Sequence, residues 1–204
     1  MAYNTFQVGS IPNYQGGNQL QGGGPSGDSW VSELHGKWYS AARLGRVFLS
    51  ASLIAGVTIP VNTATAATFL IANPVGSQVN LELISLGIGW PAADAPVVGT
   101  ILGTVSAQTP TSVTAIANPI LQMPLNGGGG WARVGQVYTA ATVVASTAHI
   151  PLINLGLVTV PGGQVYTDFD GKIILGPGEI MQLTSTPVQT AAAMPCLIWA
   201  EYNV

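Results

Sequence analysis

Charge is what this chain has least of. Only 6% of its 204 residues are Asp, Glu, Lys or Arg, against about 25% in an ordinary soluble domain. The apolar share, 48%, is ordinary. Mixed surface charge normally keeps a monomer from associating, so a surface this neutral is expected to be covered by other protein in an assembly. Eight acids against five cations leave a net charge of −3. That excludes the broad basic footprint that nucleic-acid binding needs.

Cysteine is nearly missing as well. Cys196 stands alone, so no intramolecular disulfide forms and nothing points to an oxidising compartment. The only imidazoles are His35 and His149. A zinc site would need both, plus Cys196 or acids, at no recognisable spacing. Asp168 and Asp170 share a strand face and with Glu179 would hold a cation weakly at best, since the ligand spacing of a calcium loop is absent. No nucleophile elbow accompanies either histidine, and "NGGGG" (126–130) lacks the lysine of a phosphate-binding loop. A Ser-His-Asp triad assembled from distant residues stays open on sequence alone. The expectation is a protein without catalytic residues, metal or cofactor.

Long uninterrupted apolar runs are also missing. The uncharged stretches 47–81, 95–132 and 134–167 are broken by Pro60, Asn62, Asn73, Pro74, Pro110, Asn118, Pro119 and Pro151. None makes the run of about 20 apolar residues that a membrane helix needs. There are no aromatic girdles of an outer-membrane barrel, and "MAYNTFQVGS" has neither the basic nor the apolar region of a signal peptide. No membrane insertion is expected.

What is present falls into three parts. Residues 1–29 are mostly Gly, Gln, Asn and Ser, a composition that cannot offset its own ordering entropy. They read as an anchoring arm whose docking side chains are Phe6, Val8, Ile11 and Tyr14. Residues 30–45 read as a short helical joint, capped by Asp28 or Ser29, with Trp30, Leu34 and Trp38 on one face. "SELHGKWYSAARLGRVF" (32–48) holds Lys37, Arg43 and Arg46, three of the five cations. Trp38 and Tyr39 beside them could stack on bases or sugars, but three cations do not make a groove. The favoured reading has the aromatics packing under the body while the arginines satisfy carbonyls and pair with Glu33. Trp30, Trp38, Tyr39, Arg43 and Arg46 are therefore interface candidates.

From residue 46 to 204 the pattern is strand after strand, rich in Val, Ile and Thr and punctuated by turns. Expected strands are 46–51, 56–60, 67–72, 78–88, 97–106, 112–117, 133–138, 141–150, 153–160, 164–169, 172–175, 179–186 and 194–202. "FDGK" (169–172) reads as a hairpin, because Asp-Gly supplies the positive φ angles of a type I′ turn. Ile-Ala-Asn-Pro recurs at 71–74 and 116–119, too short a match to argue duplicated halves. Many short strands with Gly/Pro turns imply an all-β sandwich or barrel.

"HGKWYSAARLGRVF" (35–48), "AGVTIP" (55–60), "NPVGSQVNLELISLGIG" (73–89) and "FDGKIILGPGEIMQLTST" (169–186) resemble a group of tailed-bacteriophage virion structural proteins, head decorations or spike-like jelly rolls. The resemblance implies a jelly-roll-like β-sandwich that forms a homotrimer on the phage particle, on the head exterior, with a capsid or other virion protein as partner. It implies no catalytic residue. The alternative expectation is a host-surface glycan-binding module of a tail or head fibre, using exposed aromatics such as Trp90 or Trp131.

Overall fold

The computed structural model describes residues 22–23, 29–30, 37–63, 65–67, 69–91, 95–115, 122–124, 132–144, 148–156 and 163–204. The chain divides into two compact units, Met1–Tyr39 and Ser40–Val204. In the first, β1 (Gly22–Gly23) pairs antiparallel with β2 (Ser29–Trp30). Trp30 therefore belongs to a strand and not to the helix expected over 30–45. Of the rest of that expected helix, 31–36 lie outside the described residues, and Tyr39–Arg43 form α1. Gly45 stops it in the left-handed region at φ 71°, and the Arg46 N–H donates back to the Ala41 carbonyl at 2.9 Å.

The strands that follow are β3 (Val47–Ala51), β4 (Ala66–Ala67), β5 (Leu70–Ala72), β6 (Val79–Gly89), β7 (Thr100–Ala107), β8 (Thr111–Ala115) and β9 (Gln122–Pro124). They continue with β10 (Gln136–Thr142), β11 (Ile150–Asn154), β12 (Gln164–Leu175), β13 (Glu179–Ser185) and β14 (Met194–Asn203). One sheet has the order β12-β6-β14-β3-β9. The other runs β11-β7-β13-β5-β10, with β4 continuing the register of β5 along β10 and β8 on the far side of β10.

Beneath this order lies a nested pattern. β3 pairs with β14, β5 with β13, β6 with β12 and β7 with β11. The first strand meets the last, the second meets the last but one, and successive pairs fall in alternate sheets. A long antiparallel ribbon rolled up in this way is the double Greek key of a jelly roll. β8, β9 and β10 lie in the connection between β7 and β11 and extend both sheets. The expected jelly-roll sandwich is the fold.

Alternation along the strands builds the interior. On β13, Met181 and Leu183 turn into the core shared with Leu81, Leu83, Ile101 and Phe169. Phe48 on β3 stacks on Trp199 of β14, ring centroids 5.8 Å apart. Glu201 lies two residues further along β14 and is fully buried. Burying an unpartnered carboxylate would be prohibitive, and this one is well served. It accepts from the Val134 N–H at 2.9 Å, the Gly135 N–H at 2.7 Å and the Trp199 indole N–H at 3.0 Å. A Cβ on Gly135 would stand 2.9 Å from that indole nitrogen, so the close approach requires glycine there. The lead-in to β10 is thereby fastened to the last strand.

Four sequence expectations shift. "FDGK" is not a hairpin: 164–175 is one strand, paired with β6 both before and after the Asp-Gly. Asp170 (φ 51°) and Gly171 (φ 73°) do take the left-handed angles expected of them. They form a bulge, with Asp168 opposite Ser85 and Ile173 opposite Leu83. The strand expected at 56–60 shrinks to a single bridge between Val57 and Ala193, because Gly56 at φ 69° and Pro60 interrupt the ladder. The break expected at 139–140 is paired through within β10. Of the strand expected at 153–160, Ile153 and Asn154 belong to β11 (Ile150–Asn154), Leu155 and Gly156 are not in a strand, and 157–160 lie outside the described residues.

Glu201→Gln keeps the shape but replaces a charged acceptor by an amide that turns a donor toward other donors. We expect a loss of about 1.5–3 kcal/mol in unfolding free energy, read from urea denaturation at neutral pH.

Candidate functional site

Of the interface candidates, Phe6, Val8, Ile11 and Tyr14 lie outside the described residues, as does the side chain of Trp30. Trp38 is half-buried, with the Lys37 ammonium 4.9 Å from its ring centroid. That is cation–π distance, so the ammonium covers one face of the ring. Tyr39, 45% exposed, and the exposed Arg43 stand four residues apart on α1 and so share a face. Arg46 is half-buried just ahead of β3. Trp90 is 2% exposed in the core, so it presents no surface to a glycan; Trp131 lies outside the described residues. His149 is half-buried with its Nδ1 2.9 Å from the Thr104 hydroxyl. Asp168 accepts from the Asp170 backbone N–H at 2.9 Å. Among the described residues no three acids, histidines or cysteines converge.

The nested strand order brings together a surface that linear reading missed. Four connections cross between the sheets at one end of the sandwich: 52–65, 90–99, 155–163 and 186–193. The register places them there. Gly89 at the end of β6 lies opposite both Gln164 and Met194, which begin β12 and β14. In the other sheet Thr100, beginning β7, lies opposite Asn154 at the end of β11. Asp94 is the sole acidic or basic residue in these four connections. The other charges of this unit lie elsewhere. Arg43 and Arg46 precede β3, Glu82 is near the start of β6, Arg133 precedes β10, Glu179 begins β13 and Glu201 is near the end of β14, all toward the opposite end. Asp168, Asp170 and Lys172 sit midway along β12.

Large apolar side chains project from this charge-poor end: Leu53 (56% exposed), Ile54 (86%), Val98 (54%) and Val188 (58%). Exposed apolar groups at the opposite end, Leu44 and Val75, stand among the charges just named. The described parts of these connections are also tied together. Gln189, fully buried, clasps Val97 from both sides: its Oε1 accepts from the Val97 N–H at 2.9 Å and its Nε2 donates to the Val97 carbonyl at 3.0 Å. Val57 and Ala193 exchange two backbone bonds, at 2.7 and 2.8 Å. The Ser52 N–H reaches the Pro195 carbonyl at 2.9 Å, and the Leu155 N–H reaches the Gly99 carbonyl at 2.7 Å. A Cβ on Gly99 would sit 2.4 Å from Pro187 Cδ, so that pair of loops meets backbone to ring. Loops held this way lose little further freedom when a partner covers them.

No protein-family model, curated protein or solved structure matches the chain.

Gln189→Ala strands the Val97 N–H and carbonyl in the loop end. The expected cost is about 1–3 kcal/mol, with the transition in thermal unfolding moving down and the far-ultraviolet spectrum of the folded protein unchanged.

Proposed function

We propose that the chain is a structural component of a virion, an external decoration or spike of a phage head that works as a homotrimer and carries no catalytic role. The observation behind this reading is the separation of charge along the sandwich. One end has a single charged residue, Asp94, in its four connections and is apolar and tied together, and the other charged side chains lie toward the opposite end or midway along the β12 edge. A surface of that kind exposed to water invites association, whereas covered by neighbours it supplies the apolar burial that drives assembly. The overall shortage of charge points the same way. A repeated contact between unlike patches closes into a ring when the rotation allows, which is how a trimer would form from this end. The Gly/Gln-rich segment 1–29, with one acid (Asp28) and no cation, would attach to the particle by apolar and backbone contacts and not by charge. The resemblance to phage head proteins agrees with this picture and adds the particle as its setting. The jelly roll alone does not choose among virion, lectin and other roles.

Placing a carboxylate at each of two projecting positions, Ile54→Asp with Val188→Asp, tests the reading. Both sites are exposed, so the fold should hold, with unfolding free energy changed by no more than about 0.5 kcal/mol. Self-association should weaken by about a hundredfold or more, because an unpaired charge buried at an interface costs several kcal/mol. Light scattering at micromolar concentration is the measurement, and a double variant that keeps its trimer would refute this end as the contact. Deleting 1–29 should leave the trimer intact and abolish incorporation into particles, with attachment of the full chain only weakly sensitive to salt. Particles decorated normally by the shortened chain would refute the arm as anchor.

A further inference from the structure

β6 carries Gly87 and Gly89, two residues apart and so on the same face of the strand. β6 is an interior strand, between β12 and β14, and glycine there weakens a sheet by its conformational freedom and its lack of a side chain to pack. The usual structural reasons for such a cost do not apply. Neither residue has a positive φ. Nor does either position lack room: a Cβ would come no closer than 3.8 Å to Tyr166 Cδ2 at Gly87 and 3.5 Å to Met194 Cε at Gly89, both ordinary contacts. Gly103 is different, since a Cβ there would stand 2.9 Å from Leu152 Cδ1. An alanine at 103 would need the Leu152 side chain to move, whereas the fold takes alanine at 87 and 89 as it stands.

What the pair does is keep a trough open on the outer face of the five-stranded sheet. Its volume is about 580 Å³, within the range of small-molecule sites. The register builds it from two rungs, Gln164–Gly89–Met194 and Tyr166–Gly87–Cys196. The glycines form the floor, Gln164 and Tyr166 of β12 one wall, and Met194 and Cys196 of β14 the other. Tyr166 is 66% exposed, a large ring standing beside the gap. No acidic or basic residue is among the described lining. Burial pushes the Cys196 thiol pKa up, so that wall stays neutral at physiological pH.

The geometry points to a binding site for an uncharged saccharide, one or two pyranose rings laid along the trough. A charged ligand would find no counter-charge here. A purely apolar one would make no use of the amide and the hydroxyl that Gln164 and Tyr166 bring to the walls. A pyranose has what the two walls ask for: a C–H face to lie on the tyrosine ring and the methionine methyl, and hydroxyls at its edge for the amide and the phenol. The bare floor lets that ring approach the sheet closely. This site is separate from Trp90 and does not depend on the assembly role.

The test uses the full chain labelled with ¹³C at its methionine methyls and titrated with glucose, galactose, N-acetylglucosamine and their short neutral oligomers. Expected is a saturable shift of the Met194 methyl with at least one of these sugars, the core Met181 methyl staying in place. Gly87→Ala with Gly89→Ala should bind about tenfold more weakly or worse while unfolding at a higher temperature than wild type. Tyr166→Ala should lose the shift, and Tyr166→Phe should keep part of it. Three results would overturn the proposal: no sugar moves Met194, the double alanine variant binds like wild type, or Met194 shifts with protein concentration alone. The last would assign the trough to a second copy of the chain.

Discussion

The body closes through β14, the final strand of the chain. β14 lies between β3 and β6, so the first strand of the sandwich has no place in its sheet until the last one arrives. Trp199 then supplies the ring on which Phe48 stacks, and Glu201 gathers the backbone at 134–135. The outermost pair of the rolled ribbon, the core aromatic stack and the foot of the β10 insertion all depend on these ten residues. Pairings between residues so far apart in sequence form late and slowly. Removing the end of this chain would open the sheet through its middle, where trimming the end of an edge strand would only shorten it.

The strands could be read from the residues because β-branched runs and Gly/Pro punctuation are local properties. Their grouping into two sheets could not, since nothing local in 47–51 announces a partner at 196–200. "FDGK" shows the same limit at smaller scale. The left-handed angles at Asp170 and Gly171 follow from residue type. Whether they reverse the chain or only bulge it depends on β6, whose eleven residues are long enough to pair on both sides. Trp90 read as an exposed aromatic for the same reason: burial is decided by the facing sheet. Trp30, expected at the start of a helix, pairs with Gly22 across a stretch of glycines that offers no periodicity to read.

The shortage of charge was legible at once, and it motivated the assembly reading. Its distribution was not. The four connections, with Asp94 as their one charge, are scattered from 52 to 193 in the sequence, and only the nested pairing shows that they are neighbours. Gln189 and Val97 illustrate the point, being 92 residues apart and joined by two hydrogen bonds. The trough was hidden differently. Gly87 and Gly89 look like ordinary strand interruptions until a Cβ placed on each is found to fit. Only then does their presence ask for an explanation outside the fold.

The bulge in β12 has a consequence for how copies of this chain can meet. β12 is an edge strand twelve residues long, with Tyr166 and Ile174 exposed along it. A straight edge of that length offers unpaired backbone groups to any similar chain, the opening step of a growing cross-β fibre. At its midpoint this edge buckles outward and carries Asp168, Asp170 and Lys172, three of the few charges the chain possesses. They are spent where a neighbour's strand would have to lie flat. A second copy is thereby kept from zipping along this side of the sandwich.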